Sequence, residues 1–192
     1  MVKGLKDVER VSDNLSKTIK WCGSMYSYLD ESVILLKKML ATTDSKTADN
    51  LYKKIHYQLR YATNSQRRGI NRYYPKVKSG LKDLEEILPD NLKTDLGNII
   101  RLIRPNEAVL IRETSFYVGE LKSDFLNLKL QLGLLKKDPD RLASVQALIK
   151  KLIAEINTTI AKGAGQFGLV PFAAVLEKQL KPFINKLKKL SA

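Results

Sequence analysis

The sequence has little of the chemistry that metal sites and disulfides require. It contains one cysteine, Cys22, and one histidine, His56, in 192 residues. A single cysteine excludes an intrachain disulfide and any zinc or iron–sulfur site built from several cysteines. A lone histidine beside Tyr52 and Arg60 is typical of a partly buried structural residue, because no second histidine completes a ligand set. We therefore expect no metal and no cofactor.

Catalytic signatures are also missing. The chain has no glycine-rich phosphate loop, no nucleophile elbow and no Glu-x-x-His pair of the kind that di-iron bundle enzymes use. The adjacent acids Glu85 and Glu86 would point to different sides of a helix, so their spacing assigns no acid and base roles. We expect a protein that is not an enzyme and has no catalytic residues.

Long hydrophobic runs are absent. The longest uncharged run, GAGQFGLVPFAAVL, has 14 residues, whereas a membrane-spanning helix needs roughly 20. Asp7 and Glu9 lie where an export signal would need an apolar segment. We expect a soluble protein of a cytoplasmic or organellar compartment with no export signal visible in the chain, and leave open whether a targeting segment was removed.

Acidic residues are scarce relative to basic ones. The chain carries 34 Lys and Arg against 20 Asp and Glu, a formal net charge of +14. Such an excess favours polyanionic partners: nucleic acid, an anionic membrane surface or an acidic protein.

The hydrophobic pattern predicts an all-α fold with a long first helix. Apolar residues from Val8 to Leu40 recur in steps of three and four, which keeps them on one helical face. Similar stripes follow, separated by TTDS at 42–45, Pro75, Pro89, RPN at 104–106, DPD at 138–140 and the glycines of 163–168. The side chains of TTDS and the first aspartate of DPD are predicted to cap the helices that follow. Pro75 predicts a kink or stop near Tyr74, and Pro182 predicts a kink near Lys178. We predict an up-and-down antiparallel bundle of four to six helices. Residues 1–162 would form the bundle, 163–168 a glycine-rich connection, and 169–192 an amphipathic helix packed on the same bundle.

One stretch combines basic residues with tyrosines. Residues 50–82 contain nine Lys or Arg, no acid, and five of the eight tyrosines. At 100° per residue a polar stripe from Lys53 to Asn71 lies away from the apolar face of Ile55, Leu59 and Ala62. Arginine can bind phosphate with two hydrogen bonds and tyrosine can stack on a base. The predicted polyanion-binding residues are Lys53, Tyr57, Arg60, Arg67, Arg68, Arg72, Tyr74, Lys76 and Lys78.

The favoured hypothesis is a basic helical protein that docks this face on nucleic acid or a ribonucleoprotein. An ordinary solvated helix face, with Tyr52 and Tyr73 as core residues, explains the same pattern about equally well. A second hypothesis is an accessory or extrinsic subunit of a large protein complex that binds acidic protein surfaces. Dimerisation through the long first helix is compatible with these two hypotheses and with the third one below.

A third hypothesis is peripheral membrane binding by the C-terminal helix. There, aromatic and aliphatic residues lie opposite lysines, the composition of an interfacial helix and also of an ordinary bundle helix. The candidate membrane-binding residues are Phe172, Leu176, Leu180, Phe183, Lys186, Lys188 and Lys189.

Overall fold

A 36-residue helix, Leu5–Leu40, opens the computed structural model, which describes residues 5–165 and 168–191. Within those ranges the chain is helical and contains no strand. The predicted all-α helical bundle with a long first helix is confirmed. The α-helices are α1 (Leu5–Leu40), α2 (Ser45–Gln66), α3 (Tyr74–Ile87), α4 (Asp90–Leu135), α5 (Leu142–Ala164), α6 (Leu169–Val175) and α7 (Lys181–Ser191).

The helices form two compact units, each built from segments far apart in sequence. The first unit comprises Met1–Ser24, Ser65–Ile111 and Ala164–Ala192; the second comprises Met25–Asn64 and Arg112–Gly163. Both α1 and α4 contribute to each unit. The C-terminal segment therefore belongs to the first unit, where Leu169, Leu180 and Leu187 are buried. Residues 166–167 of the predicted glycine-rich connection lie outside the described residues.

The buried side of α1 is broader than the apolar stripe suggests, because it includes polar residues. Asn14, Thr18 and Ser32 are all buried. Asn14 Nδ2 donates to the Arg10 carbonyl, Thr18 Oγ1 to the Asn14 carbonyl and Ser32 Oγ to a carbonyl four residues earlier, each at 2.8 Å. These bonds satisfy the polar groups inside the helix, which removes most of the cost of burying them.

Two aspartates begin the segments where sequence predicted helix caps. Asp44 Oδ2 accepts a 2.7 Å hydrogen bond from the Thr47 backbone N–H, ahead of α2. Hydrogen bonding to Thr47 lowers the pKa of the Asp44 carboxyl. Asp138 Oδ1 accepts from the backbone N–H of Asp140 and starts the short 3₁₀ turn Pro139–Arg141 that leads into α5. Both caps satisfy otherwise free helix donors.

Two prolines each follow a π-helical segment. The first π-segment, Arg67–Tyr73, joins α2 to α3, and the second, Leu176–Leu180, joins α6 to α7. The residue before Pro75 donates its N–H to the Gly69 carbonyl, and the residue before Pro182 donates to the Leu176 carbonyl, five residues back in each case. A proline ring crowds the carbonyl four residues earlier, and the wider π turn relieves this.

These π-segments specify two predictions. Sequence predicted that the helix kinks or stops near Tyr74; the helix does not stop, because its backbone continues into α3, and the distortion takes the form of the first π-segment. The distortion predicted near Lys178 takes the form of the second π-segment. The prediction that a helix ends at RPN was wrong, because α4 runs through Pro105. Proline has a φ compatible with a helix and removes one backbone hydrogen bond, which a 46-residue helix tolerates.

Gly80 and Gly23 differ in how closely other atoms surround them, so their alanine variants should change stability in opposite directions. A Cβ at Gly80 of α3 would collide with Val11 Cγ2 of α1, whereas a Cβ at Gly23 meets no atom within 4 Å. We expect Gly80→Ala to lower the free energy of unfolding by about 1–3 kcal/mol through overpacking. Gly23→Ala should raise it by about 0.5–1 kcal/mol, because alanine favours the helix. Denaturant titration followed by circular dichroism measures both, and a stabilising Gly80→Ala would contradict the close contact.

Candidate polyanion-binding surface

The nine predicted polyanion-binding residues are divided between the two units. Lys53, Tyr57 and Arg60 belong to the second unit, and the other six belong to the first. Eight of the nine are exposed. The predicted stripe also assumed 100° per residue, which ceases to hold where the first π-segment begins at Arg67.

Tyr74 is the exception, and its assignment to the binding face is corrected. Its side chain is 5% exposed, and its ring packs edge-on against Phe172 with ring centroids 5.0 Å apart. Burial, together with the neighbouring Glu107 carboxylate, raises the pKa of the Tyr74 hydroxyl well above its usual value. Sequence placed Tyr73 in the core instead. The wider turn of the first π-segment rotates the following residues, so Tyr74 takes the core position and Tyr73 lies half-exposed.

Arg68 stacks on the only tryptophan. Its guanidinium carbon lies 4.7 Å from the centroid of the Trp21 ring on α1, a cation–π geometry. Gly69 makes this approach possible, since a Cβ there would lie 3.2 Å from both Cys22 Sγ and Trp21 Cβ. The first π-segment and α1 therefore meet closely at Gly69, with the exposed Arg68 beside the contact.

One turn away, two cations share the Tyr73 ring. Lys17 Nζ lies 5.6 Å and the Arg72 guanidinium carbon 5.5 Å from its centroid. Lys17 Nζ also bonds Asp13 Oδ2 at 2.6 Å, and this hydrogen bond raises the pKa of the Lys17 ammonium while the nearby Arg72 opposes the rise. Like charges held this close together repel, and an incoming anion would relieve that repulsion.

We call these five residues, Lys17, Trp21, Arg68, Arg72 and Tyr73, the arginine–aromatic surface. Arg67 and Lys76 are exposed neighbours of it in sequence. Lys78 is exposed as well, but its ammonium pairs with the Glu107 carboxylate, so part of its charge is already neutralised. Sequence reasoning missed Lys17 and Trp21 because they lie about thirty residues before the basic stretch. Their spacing of four residues on a predicted helix was the available signal.

In the second unit, Lys53, Tyr57 and Arg60 lie along α2. Tyr57 is 55% exposed, which leaves its ring available to a partner. Beside it, the half-buried Tyr52 stacks on Phe125 of α4, with centroids 4.4 Å apart and planes 4° from parallel. His56 is exposed and lies 6.1 Å from the same Phe125 ring.

Within the described part of the chain, no group of three or more His, Cys, Asp or Glu side chains could hold a metal ion.

The apolar residues of the candidate membrane-binding helix are buried in this structure and cannot contact a membrane. Phe172, Leu176 and Leu180 are fully buried and Phe183 is 6% exposed, so their predicted membrane contact is corrected to a core role in the first unit. Lys186 pairs with Asp95 at 3.7 Å, and Lys188 donates to Ser12 Oγ at 3.0 Å. Lys189 remains exposed.

Among the residues that the structure describes, length and composition give one candidate membrane span. The stretch between Pro139 and Leu190 contains an 18-residue window with a mean hydropathy of 1.2, enough to cross a membrane by length and composition alone. Core helices of soluble proteins pass the same test, so length and composition do not distinguish a membrane span from a core helix.

The apolar stripe of α1, predicted as a possible dimer interface, is largely buried within the single chain, as Leu15, Leu29 and Leu36 illustrate.

Comparisons with protein-family models, with curated proteins and with solved structures found no match.

The reactivity of the buried Cys22 thiol reports on the contact between Gly69 and α1, beside the arginine–aromatic surface. Burial raises the pKa of this thiol to about 12, so the reactive thiolate is scarce at pH 8. We expect Ellman's reagent to label the native protein about a thousandfold more slowly than the denatured protein, whose thiol has a pKa near 8.5. Gly69→Ala should speed labelling by loosening the contact. Equal rates for the native and denatured protein would contradict this packing.

Proposed function

We propose that this protein is a non-enzymatic binding protein that holds single-stranded nucleic acid on the arginine–aromatic surface. The observation that carries the proposal is the Arg68 guanidinium stacked on Trp21, with Arg72 and Lys17 gathered on the neighbouring Tyr73 ring. Planar arginine and aromatic side chains stack on unpaired bases, while the cationic groups bind the phosphates. A duplex hides its base faces and would use only the charges.

The distribution of charge supports the same proposal. The first unit contains 19 Lys or Arg against 10 Asp or Glu, and the second contains 15 against 10. The first π-segment contributes three of these cations, Arg67, Arg68 and Arg72, and no acid. Clustered positive charge raises the local concentration of a polyanion and its association rate, and binding then releases condensed counterions.

Charge reversal on the first π-segment tests the proposal. We expect Arg67→Glu, Arg68→Glu and Arg72→Glu together to abolish binding of a labelled mixed-sequence oligonucleotide, measured by fluorescence anisotropy across a salt series. In the wild-type protein log affinity should fall linearly with log salt. Neutralising the three arginines alone, as Arg→Gln, should reduce that slope by about 2.

A matched control separates the site from net charge. Lys82→Glu, Lys178→Glu and Lys189→Glu together change the charge by the same amount at exposed positions of the first unit outside the surface. The control should lose affinity only through the long-range field, an effect that added salt screens. Equal losses in both triple variants, or a wild-type protein that does not bind at low salt, would refute the proposal.

Arg68→Lys distinguishes stacking from charge. Lysine keeps the cation but loses the guanidinium plane. We expect the affinity to fall fivefold to a hundredfold, corresponding to the roughly 1–3 kcal/mol of a stacked base, while the salt slope is unchanged. Trp21 is the only tryptophan, so its fluorescence should be quenched on binding, and less so in the variant. Arg101→Lys, at an exposed arginine elsewhere in the first unit, should match the wild type; an Arg68→Lys protein that also matched it would exclude stacking.

A further inference from the structure

A groove runs between α2 and α4 within the second unit. It consists of two adjoining depressions that share His56, with volumes of about 520 and 240 Å³. The larger extends from Asp49 and Lys136, and the smaller reaches Asn64 and Leu121. At about 1.5 Å of rise per residue, the α2 wall from Asp49 to Asn64 is roughly 22 Å long, the length of about four helical turns.

Most of the accessible surface area in the groove is apolar, although many of the residues that line it are polar or charged. Leu59 and Leu121 line the smaller depression, and Leu126 and Leu132 line the larger. Leu126 is 54% exposed, a large apolar side chain with little cover within the chain. At Gly133 an added Cβ would meet no atom within 4 Å, so the absence of a side chain there keeps the larger depression open. Tyr52 lines the larger depression, and its ring is held in place by stacking on the buried Phe125.

Cations lie along both helices that form the groove. Lys53 and Arg60 lie on α2, and Lys122, Lys129 and Lys136 lie on α4. The one acid in the lining is Asp49, which pairs with Lys136. An occupant would therefore meet an apolar strip with positive charge on both sides.

We propose that this groove binds an acidic amphipathic helix of a partner protein. A helix of about four turns matches the groove in length, its apolar face would cover Leu126 and its neighbours, and acidic residues on its flanks would pair with the lysines of both walls. A nucleic-acid strand would satisfy the lysines but would place phosphates and sugars over the exposed leucine. The groove lies in the other unit from the arginine–aromatic surface, so this proposal does not depend on the proposed function.

The test uses the full chain and a synthetic peptide. The probe is a fluorescein-labelled 18-residue peptide with leucines at helical spacing on one face and glutamates on both flanks. We expect saturable binding by anisotropy in the micromolar range. Leu126→Glu should weaken it about tenfold or more, because a carboxylate would replace buried apolar surface among acidic partner groups. Gly133→Phe should block it by filling the larger depression without changing the charge.

Leu130→Glu is the matched control. Leu130 lies on the same helix and is 60% exposed, but it does not line the groove, so this variant should bind the peptide as the wild type does. The Arg67, Arg68 and Arg72 triple variant should also bind it normally, which separates failure here from failure of the nucleic-acid proposal. A peptide with the same composition in scrambled order should not bind, and circular dichroism confirms that each variant is folded.

Three results would overturn the proposal. The first is no saturable binding of the peptide by the wild-type protein. The second is an equal loss in Leu126→Glu and Leu130→Glu, which would indicate non-specific attraction. The third is displacement of the peptide by an oligonucleotide that itself loses affinity in Leu126→Glu, which would make the groove a nucleic-acid site.

Discussion

The close approach of the first π-segment to α1 at Gly69 sets the position of every group in the arginine–aromatic surface. A side chain larger than hydrogen at this position would press on Trp21 and on the backbone and thiol of Cys22. With the helices this near, Arg68 reaches the indole ring, and Arg72 and Lys17 reach Tyr73. The packing contact at Gly69 therefore positions the cationic groups of the first unit. It also holds them close together against their mutual electrostatic repulsion.

The π-segment that makes this contact is followed by Pro75. A proline crowds the carbonyl four residues earlier in a regular α-helical turn, and the wider π turn supplies extra space at Pro75, whereas α4 accommodates Pro105 without a π-segment. The wider turn also changes which residue points inward, so Tyr74 packs on Phe172 and Tyr73 is left to the cations. The same pairing of a π-segment with a proline recurs at Leu176–Leu180, where Leu176 and Leu180 are both buried. In each case the distortion lies within the helix and does not end it.

The two proposed surfaces differ in chemistry and would suit two kinds of partner. The first unit presents stacked arginine and aromatic groups, suited to bases and phosphates. The second presents an apolar groove with cations on both walls, suited to an acidic helix. A protein with both properties would connect a nucleic acid to an acidic protein. In that role the proposed binding to nucleic acid and the accessory-subunit hypothesis would describe different surfaces of one molecule.

The sequence alone determined the helices, the Asp44 and Asp138 caps and the acid-free basic stretch, because periodicity, capping and charge are properties of neighbouring residues. It did not determine that α4 continues through Pro105, because whether a helix ends or continues at a proline depends on the stability of the whole helix. Only tertiary structure decided that Tyr74 is buried, that Trp21 pairs with Arg68, and that the basic stretch divides between two units. Those features depend on which helices pack together and on the first π-segment, which shifts the inward-facing position from Tyr73 to Tyr74. The spacing of residues in the sequence predicts neither.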